Sequence, residues 1–230
     1  VYTGISNVPT IKSTGDNNVV TAYFVKDGTT AFAKYVYIDA TSAKQTDKNK
    51  SSSDKIYLLD FDRTGTDADE NEYYQYNAIV NGEETKVKLD KDEMSKQTEY
   101  KLYDSVRYDA KTGYITDMDK VLDTDDDYTV ADLNQNTVEC KSGVLTIGGG
   151  TTSIDFSVAD GCKVYLVVAK NVKGINDNDD GYTVSTLTAS GLKAELKGYK
   201  VDGSFAAEET DDELVALYVY VTAATELPKA

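Results

Sequence analysis

Tyr76-Asn77-Ala78-Ile79-Val80-Asn81-Gly82-Glu83-Glu84-Thr85-Lys86-Val87-Lys88-Leu89 reads as a β-hairpin, and its reading decides the fold class. Asn81-Gly82 tolerates the positive φ angles of a tight turn. On the second arm Thr85, Val87 and Leu89 alternate with Lys86 and Lys88, which predicts one packed face and one wet face. The same texture recurs outward in both directions. Residues 19–25, 32–38, 56–61, 73–80, 100–108, 144–147, 154–158, 164–169 and 214–221 are rich in Val, Ile, Tyr and Thr, types that suit a pleated, half-buried surface. Asp27-Gly28, Lys111-Thr112-Gly113 and Asp202-Gly203 supply further turn chemistry between them.

Helix is scarce. Residues 189–196 form the best candidate, with Thr188 as cap, Leu192, Ala194 and Leu196 on an imperfect apolar face and Gly198 as the stop. A second short turn is expected after Thr129, where Asp132 follows in a capping-box arrangement. The fold expected is mostly β, an antiparallel sandwich or barrel-like module with one or two short helices.

Ala33-Lys34-Tyr35-Val36-Tyr37-Ile38-Asp39-Ala40 is echoed by Ala216-Leu217-Tyr218-Val219-Tyr220-Val221-Thr222-Ala223, and each copy follows an Asp-Gly pair. Both copies read as the closing hairpin of a module. Residues 41–54 hold almost nothing apolar and read as a polar linker or long loop. The expected organisation is therefore residues 1–40 as the C-terminal part of a truncated β module, the linker, and residues 55–230 as one complete β-rich module. The second copy of the repeat carries Ala207-Glu208-Glu209-Thr210-Asp211-Asp212-Glu213, read as an acidic loop inserted between its arms.

The net charge of −16 argues against nucleic acid, whose binding depends on Lys and Arg replacing counterions on phosphate. No stretch reaches the roughly 18 to 20 apolar residues of a membrane-spanning helix. The chain contains no histidine, so neither a Ser-His-Asp nor a Cys-His nucleophile system can be assembled. A paired-carboxylate glycosidase needs only two acids at the right separation and stands as a second alternative. No catalytic residue is assigned and no resident cofactor is expected.

Three sets of residues qualify as site candidates. Asn176-Asp177-Asn178-Asp179-Asp180-Gly181 resembles the start of a calcium loop, with Asn176, Asn178 and Asp180 as candidate oxygen ligands and glycine sixth. The twelfth position is Leu187 where the bidentate glutamate would stand. Tyr73, Tyr74 and Tyr76 lie close together in a chain holding 18 tyrosines, and tyrosine suits glycan platforms, protein interfaces and the rim of a β-core alike. Cys140 and Cys162 flank a predicted strand pair, where a disulfide and two free thiols are both open.

The opening Tyr2-Thr3-Gly4-Ile5-Ser6-Asn7-Val8-Pro9, the strand Ala33-Lys34-Tyr35-Val36-Tyr37-Ile38, the segment Tyr128-Thr129-Val130-Ala131-Asp132-Leu133 and the closing Leu217-Tyr218-Val219-Tyr220-Val221 resemble the β-rich repeat regions of bacterial cell-surface proteins that carry S-layer homology domains. The helical anchoring domains themselves are not recognisable in these residues. The resemblance implies an exported cell-envelope protein, extracellular, whose modules act as spacers, lattice units or adhesive surfaces. The expected function is a non-catalytic structural module that meets neighbouring modules or other surface proteins. An adhesin module that binds glycans or proteins through exposed tyrosines and acidic loops is the alternative.

Overall fold

The computed structural model describes residues 51–149 and 152–228, together with the strand backbone of residues 11–12, 19–27, 30–39, 44–45 and 49–50. In chain order the first strands are β1 (Ile11–Lys12), β2 (Val19–Asp27), β3 (Thr30–Asp39), β4 (Lys44–Gln45) and β5 (Asn49–Ser51). β1 pairs with β4, and β2 with β3 as a hairpin in which Tyr23 faces Tyr35 and Thr21 faces Tyr37. The Tyr2–Pro9 segment lies outside the described residues. The expected linker of residues 41–54 is not loop throughout, because β5 joins the next sheet.

That sheet comprises β6 (Ile56–Thr66), β7 (Glu72–Val80), β8 (Glu83–Asp90), β9 (Lys101–Asp109) and β10 (Ile115–Lys120). Its order is β10-β8-β7-β6-β9, and β9 pairs again with β10, so the sheet closes on itself. β5 extends it by pairing Asn49–Ser51 with Arg107–Asp109 of β9. The predicted hairpin is β7 and β8, paired from Val80↔Glu83 to Tyr73↔Asp90 across a turn with Asn81 at φ +49 and Gly82 at φ +89. Val87 and Leu89 point inward as the alternation requires, whereas Thr85, near the turn, is exposed.

The second closed sheet comprises β11 (Tyr128–Lys141), β12 (Val144–Gly149), β13 (Thr152–Val168), β14 (Thr183–Leu187), helix α1 (Ala189–Glu195), β15 (Tyr199–Thr210) and β16 (Glu213–Glu226). β11 pairs with β12 and β15, β13 with β12 and β16, and β14 lies along the outer edge of β13. Numbered within each barrel, both sheets follow the order 1-2-3-5-4-1, with strands 3 and 5 parallel. That is the Greek-key connectivity of the OB-fold. Residues 55–230 thus hold two barrels where one module was expected.

Each barrel has its own core. Ile56, Leu58, Tyr76, Leu89, Tyr103 and Ile115 fill the first, while Leu145, Phe156, Val164, Phe205, Leu217 and Val219 are prominent in the second. Helix α1 stops one end of the second barrel with Leu192, and the hydroxyl of Thr188 caps it by accepting from Gly191 N at 3.1 Å. In the first barrel the equivalent connection, residues 91–100, carries no helix and is strapped by tyrosines. Gln97 N donates to Tyr76 Oη at 2.9 Å, and Tyr103 Oη donates to the Thr98 carbonyl at 2.9 Å. The second helical turn expected after Thr129 does not form; those residues run in β11, where Thr129 faces Ala207 and Asp132 faces Ser204.

The repeat is also corrected in detail. Asp202-Gly203 is no turn: it lies inside β15 at a register shift, and Ala207 to Thr210 continue that strand opposite Leu217 to Glu213. The actual turn is Asp211-Asp212, both at positive φ. No helix among the described residues is long and apolar enough to cross a membrane.

Candidate functional site

The most elaborate arrangement of side chains lies where the two barrels meet. Alternation along a strand sends successive side chains to opposite faces, so β6 buries Ile56 and Leu58 in its own barrel and turns Tyr57 and Leu59 toward the other. β13 does the same with Val164, Leu166 and Val168 inside and Tyr165 and Val167 outside. β16 places Leu217, Val219 and Val221 inside and Tyr218 and Tyr220 outside. These strands are buried on both faces because each is shared between a barrel core and the joint.

Tyrosine dominates that joint. Tyr57 stacks on Tyr218 with centroids 5.1 Å apart, and Tyr218 stacks in turn on Tyr165 at 4.9 Å. Tyr100 and Tyr220 lie flat against each other at 3.8 Å and 1°. Tyr182 meets Tyr100 edge-on at 6.4 Å. Burial pushes the hydroxyls of Tyr57, Tyr100, Tyr182 and Tyr218 well above the usual tyrosine range. Tyr57 Oη is buried with no hydrogen-bond partner among the described residues.

At one margin Lys55 crosses the joint, 3.7 Å from Asp104 and 3.9 Å from Glu208, and donates to Tyr128 Oη while lying 4.8 Å from that ring's centre. At the opposite margin the barrels part to leave an open cleft of about 580 Å³. Glu99, Tyr100 and Lys101 wall it from one side, and Asp132, Asn134 and Tyr220 from the other.

The tyrosine triad singled out by sequence does not come together. Tyr76 is a core residue of the first barrel, Tyr74 is half-buried beside Phe61, and Tyr73 is buried on the opposite, outer face against Tyr114 at 5.4 Å. The period-two rule separates Tyr73 from its two neighbours, and burial leaves no exposed platform. Sequence reasoning missed Tyr57, Tyr100 and Tyr165, the partners of Tyr218 and Tyr220, and Tyr182, which meets Tyr100; an isolated tyrosine gives no signal of the face it shares.

The acidic loop is organised from within. The Asn176 side chain is buried and its amide nitrogen donates to the carbonyls of Val168, Ala169 and Gly181 at 3.1–3.2 Å. Its oxygen accepts from Asn178 N, and Asn178 Oδ1 accepts from Asp180 N. An amide occupies the centre a cation would need, and among the described residues no group of three or more acidic or thiol side chains is arranged to hold a metal. Cys140 and Cys162 are both free; Cys162 is buried in the second core and Cys140 packs half-buried against it, each acting as a small apolar side chain.

OB barrels bind ligands across strands 2 and 3 and the loops joining strands 1 to 2 and 4 to 5. In the first barrel those two loops are tied to each other by Tyr114 Oη donating to Asp67 at 2.8 Å. In the second they are reduced to the tight turns Ser142-Gly143 and Asp211-Asp212.

No protein-family model matches the chain, and no curated protein does. A solved structure, the crystal structure of the tetrameric p202 HIN2, aligns with 76% of this chain and 87% of its own at 11% identity and a TM-score of 0.22. A likeness that low carries no argument about this chain.

Proposed function

We propose that this chain is a non-catalytic structural module of an exported bacterial cell-envelope protein, in which the paired barrels serve as one stiff spacer or assembly unit. The observation that carries the reading is the tyrosine joint. The Tyr218-Val219-Tyr220 strand welds one barrel to the other through stacked rings, and the same signature recurs at Tyr35-Val36-Tyr37 in β3. A strand that closes its own barrel with one face and grips a neighbour with the other is suited to repetition. Two loops of the second barrel trimmed to tight turns and a net charge of −16 fit a unit that remains soluble at high local density. Neighbouring modules of the same protein, or other surface proteins, are the expected partners.

The test is protease shaving and antibody labelling of intact cells producing the parent protein. Surface exposure is expected; a protein found only inside the cell would remove the reading.

A further inference from the structure

We propose that the cleft between the barrels is a binding site for neutral oligosaccharide. Its volume of about 580 Å³ falls within the range of roughly 300–1,000 Å³ typical of small-molecule sites. Two of its charged groups, the Asp132 carboxylate and the Lys101 ammonium, have no side-chain hydrogen-bond or ion-pair partner among the described residues. Asp202, by contrast, accepts from the backbone and side-chain nitrogens of Gln135, and Glu99 accepts from Phe61 N.

The independent observation lies deeper. A small cavity shares Tyr100, Lys101 and Ser204 with the cleft and has Tyr57 in its wall. Tyr57 carries the buried, unpartnered hydroxyl. A buried hydroxyl left unpaired is unfavourable, and a cavity of about 10 Å³ admits a single water at most, so a water linking Tyr57 to a guest in the cleft gains a bond that the protein alone does not supply. Tyr100 is held at φ +54, a conformation rare for a bulky residue, and that backbone lays its ring flat on Tyr220. The result is a rigid aromatic wall beside free polar groups.

The chemistry of the wall selects the guest. Carboxylates, the Asn134 amide, the hydroxyls of Ser204 and Thr222 and one ammonium provide both acceptors and donors, as the adjacent hydroxyls of a sugar require. Tyrosine rings offer an apolar surface to the C–H faces of a pyranose. Polyanions are repelled by Glu99, Asp132 and Asp202 and by the overall charge of −16. Lys101 disfavours a simple cation.

The experiment titrates the full chain with maltotriose, mannotriose and triacetylchitotriose, followed by two-dimensional NMR, alongside polygalacturonate and an Asp132→Ala/Asn134→Ala variant. Both substituted residues are exposed, so the variant should fold with an unchanged melting temperature. At least one neutral probe is expected to shift the amides of Tyr100, Lys101 and Ser204 saturably, and the double variant to weaken binding by roughly tenfold. Tyr57→Phe, which retains the ring stack, should weaken the same probe measurably. No shift with any neutral probe near roughly 10 mM, a millimolar Kd being already a weak site, overturns the proposal. So does binding that the double variant leaves intact, or polygalacturonate binding as strongly as the neutral sugars. The spacer reading is independent and survives any of these failures.

Discussion

Tyr57 of the first barrel stacks on Tyr218 of the second, with centroids 5.1 Å apart and planes 18° from parallel. Both rings are buried, so each barrel's outer face is solvent-free only while the other is in place. Truncating Tyr57 to alanine empties a large site and is expected to cost about 3–5 kcal/mol. Tyr57→Phe keeps the stack and deletes an unpartnered hydroxyl, so its stability should lie within about 1 kcal/mol of the parent. Urea unfolding measures both, and comparable losses for the two variants would mean that the hydroxyl, not the ring, matters.

The hairpin turn of β7 and β8 rests on the second barrel. A Cβ on Gly82 would stand 2.3 Å from Tyr165 Oη, at φ +89. Gly82→Ala should therefore loosen the joint and cost about 1–3 kcal/mol. Gly203→Ala should cost more, over about 4 kcal/mol, because its Cβ would meet the Tyr220 carbonyl oxygen at 1.8 Å, backbone against backbone. Thermal melts rank the pair, and equal midpoints would contradict the packing described.

Alkali should unfold the protein steeply. Tyrosines in the unfolded chain ionise near pH 10, whereas burial raises Tyr57, Tyr100, Tyr182 and Tyr218 well above that. The folded state then holds more protons above about pH 10, so stability is intact below that value and falls as pH rises. Tyrosinate absorbance and circular dichroism should change together; gradual ionisation with the fold retained would refute this.

Acid acts elsewhere. Hydrogen bonds from Asn71, with Tyr114 and nearby backbone amides, hold the Asp67 carboxyl at about 2, against an ordinary 3.8. This group's contribution is present above its ordinary value and is lost as pH falls toward about 2. Tyr114→Phe removes one of those donors and should raise the Asp67 pKa, read by carboxyl NMR titration.

Asn176→Asp replaces a donor with an acceptor among three carbonyl oxygens. A loss of about 2–4 kcal/mol is expected, since the carbonyls lose their donor and a charge is buried. Chelator or added calcium should leave the parent's melting midpoint unchanged, and a calcium-dependent rise would restore the loop as a metal site.

Local chemistry was readable where a residue's role is set by its neighbours in sequence. Asn81-Gly82 turns the chain and Thr188 caps α1 because both depend on backbone geometry within a few residues. Asp202-Gly203 misled because glycine serves equally where a neighbouring backbone comes close, here the Tyr220 carbonyl. β10 and β11 escaped notice because Ile115-Thr116-Asp117-Met118-Asp119-Lys120 and the polar middle of residues 128–141 carry little apolar alternation, their order coming from ladder bonds with other strands. The division into two barrels was hidden for the same reason, and with it the joint and the cleft. Which tyrosine meets which is decided by pairs far apart in sequence, such as Tyr57 with Tyr218.

The two barrels are sealed unequally between their third and fifth strands. β13 and β16 run in register from Lys163↔Ala216 to Val168↔Val221, but β8 and β10 meet only at Ile115↔Leu89. Under tension along the chain, the first barrel would part at that single bridge while the second still holds. Were the paired barrels to serve as the proposed spacer, their point of yield would be set by one pair of residues, Leu89 and Ile115.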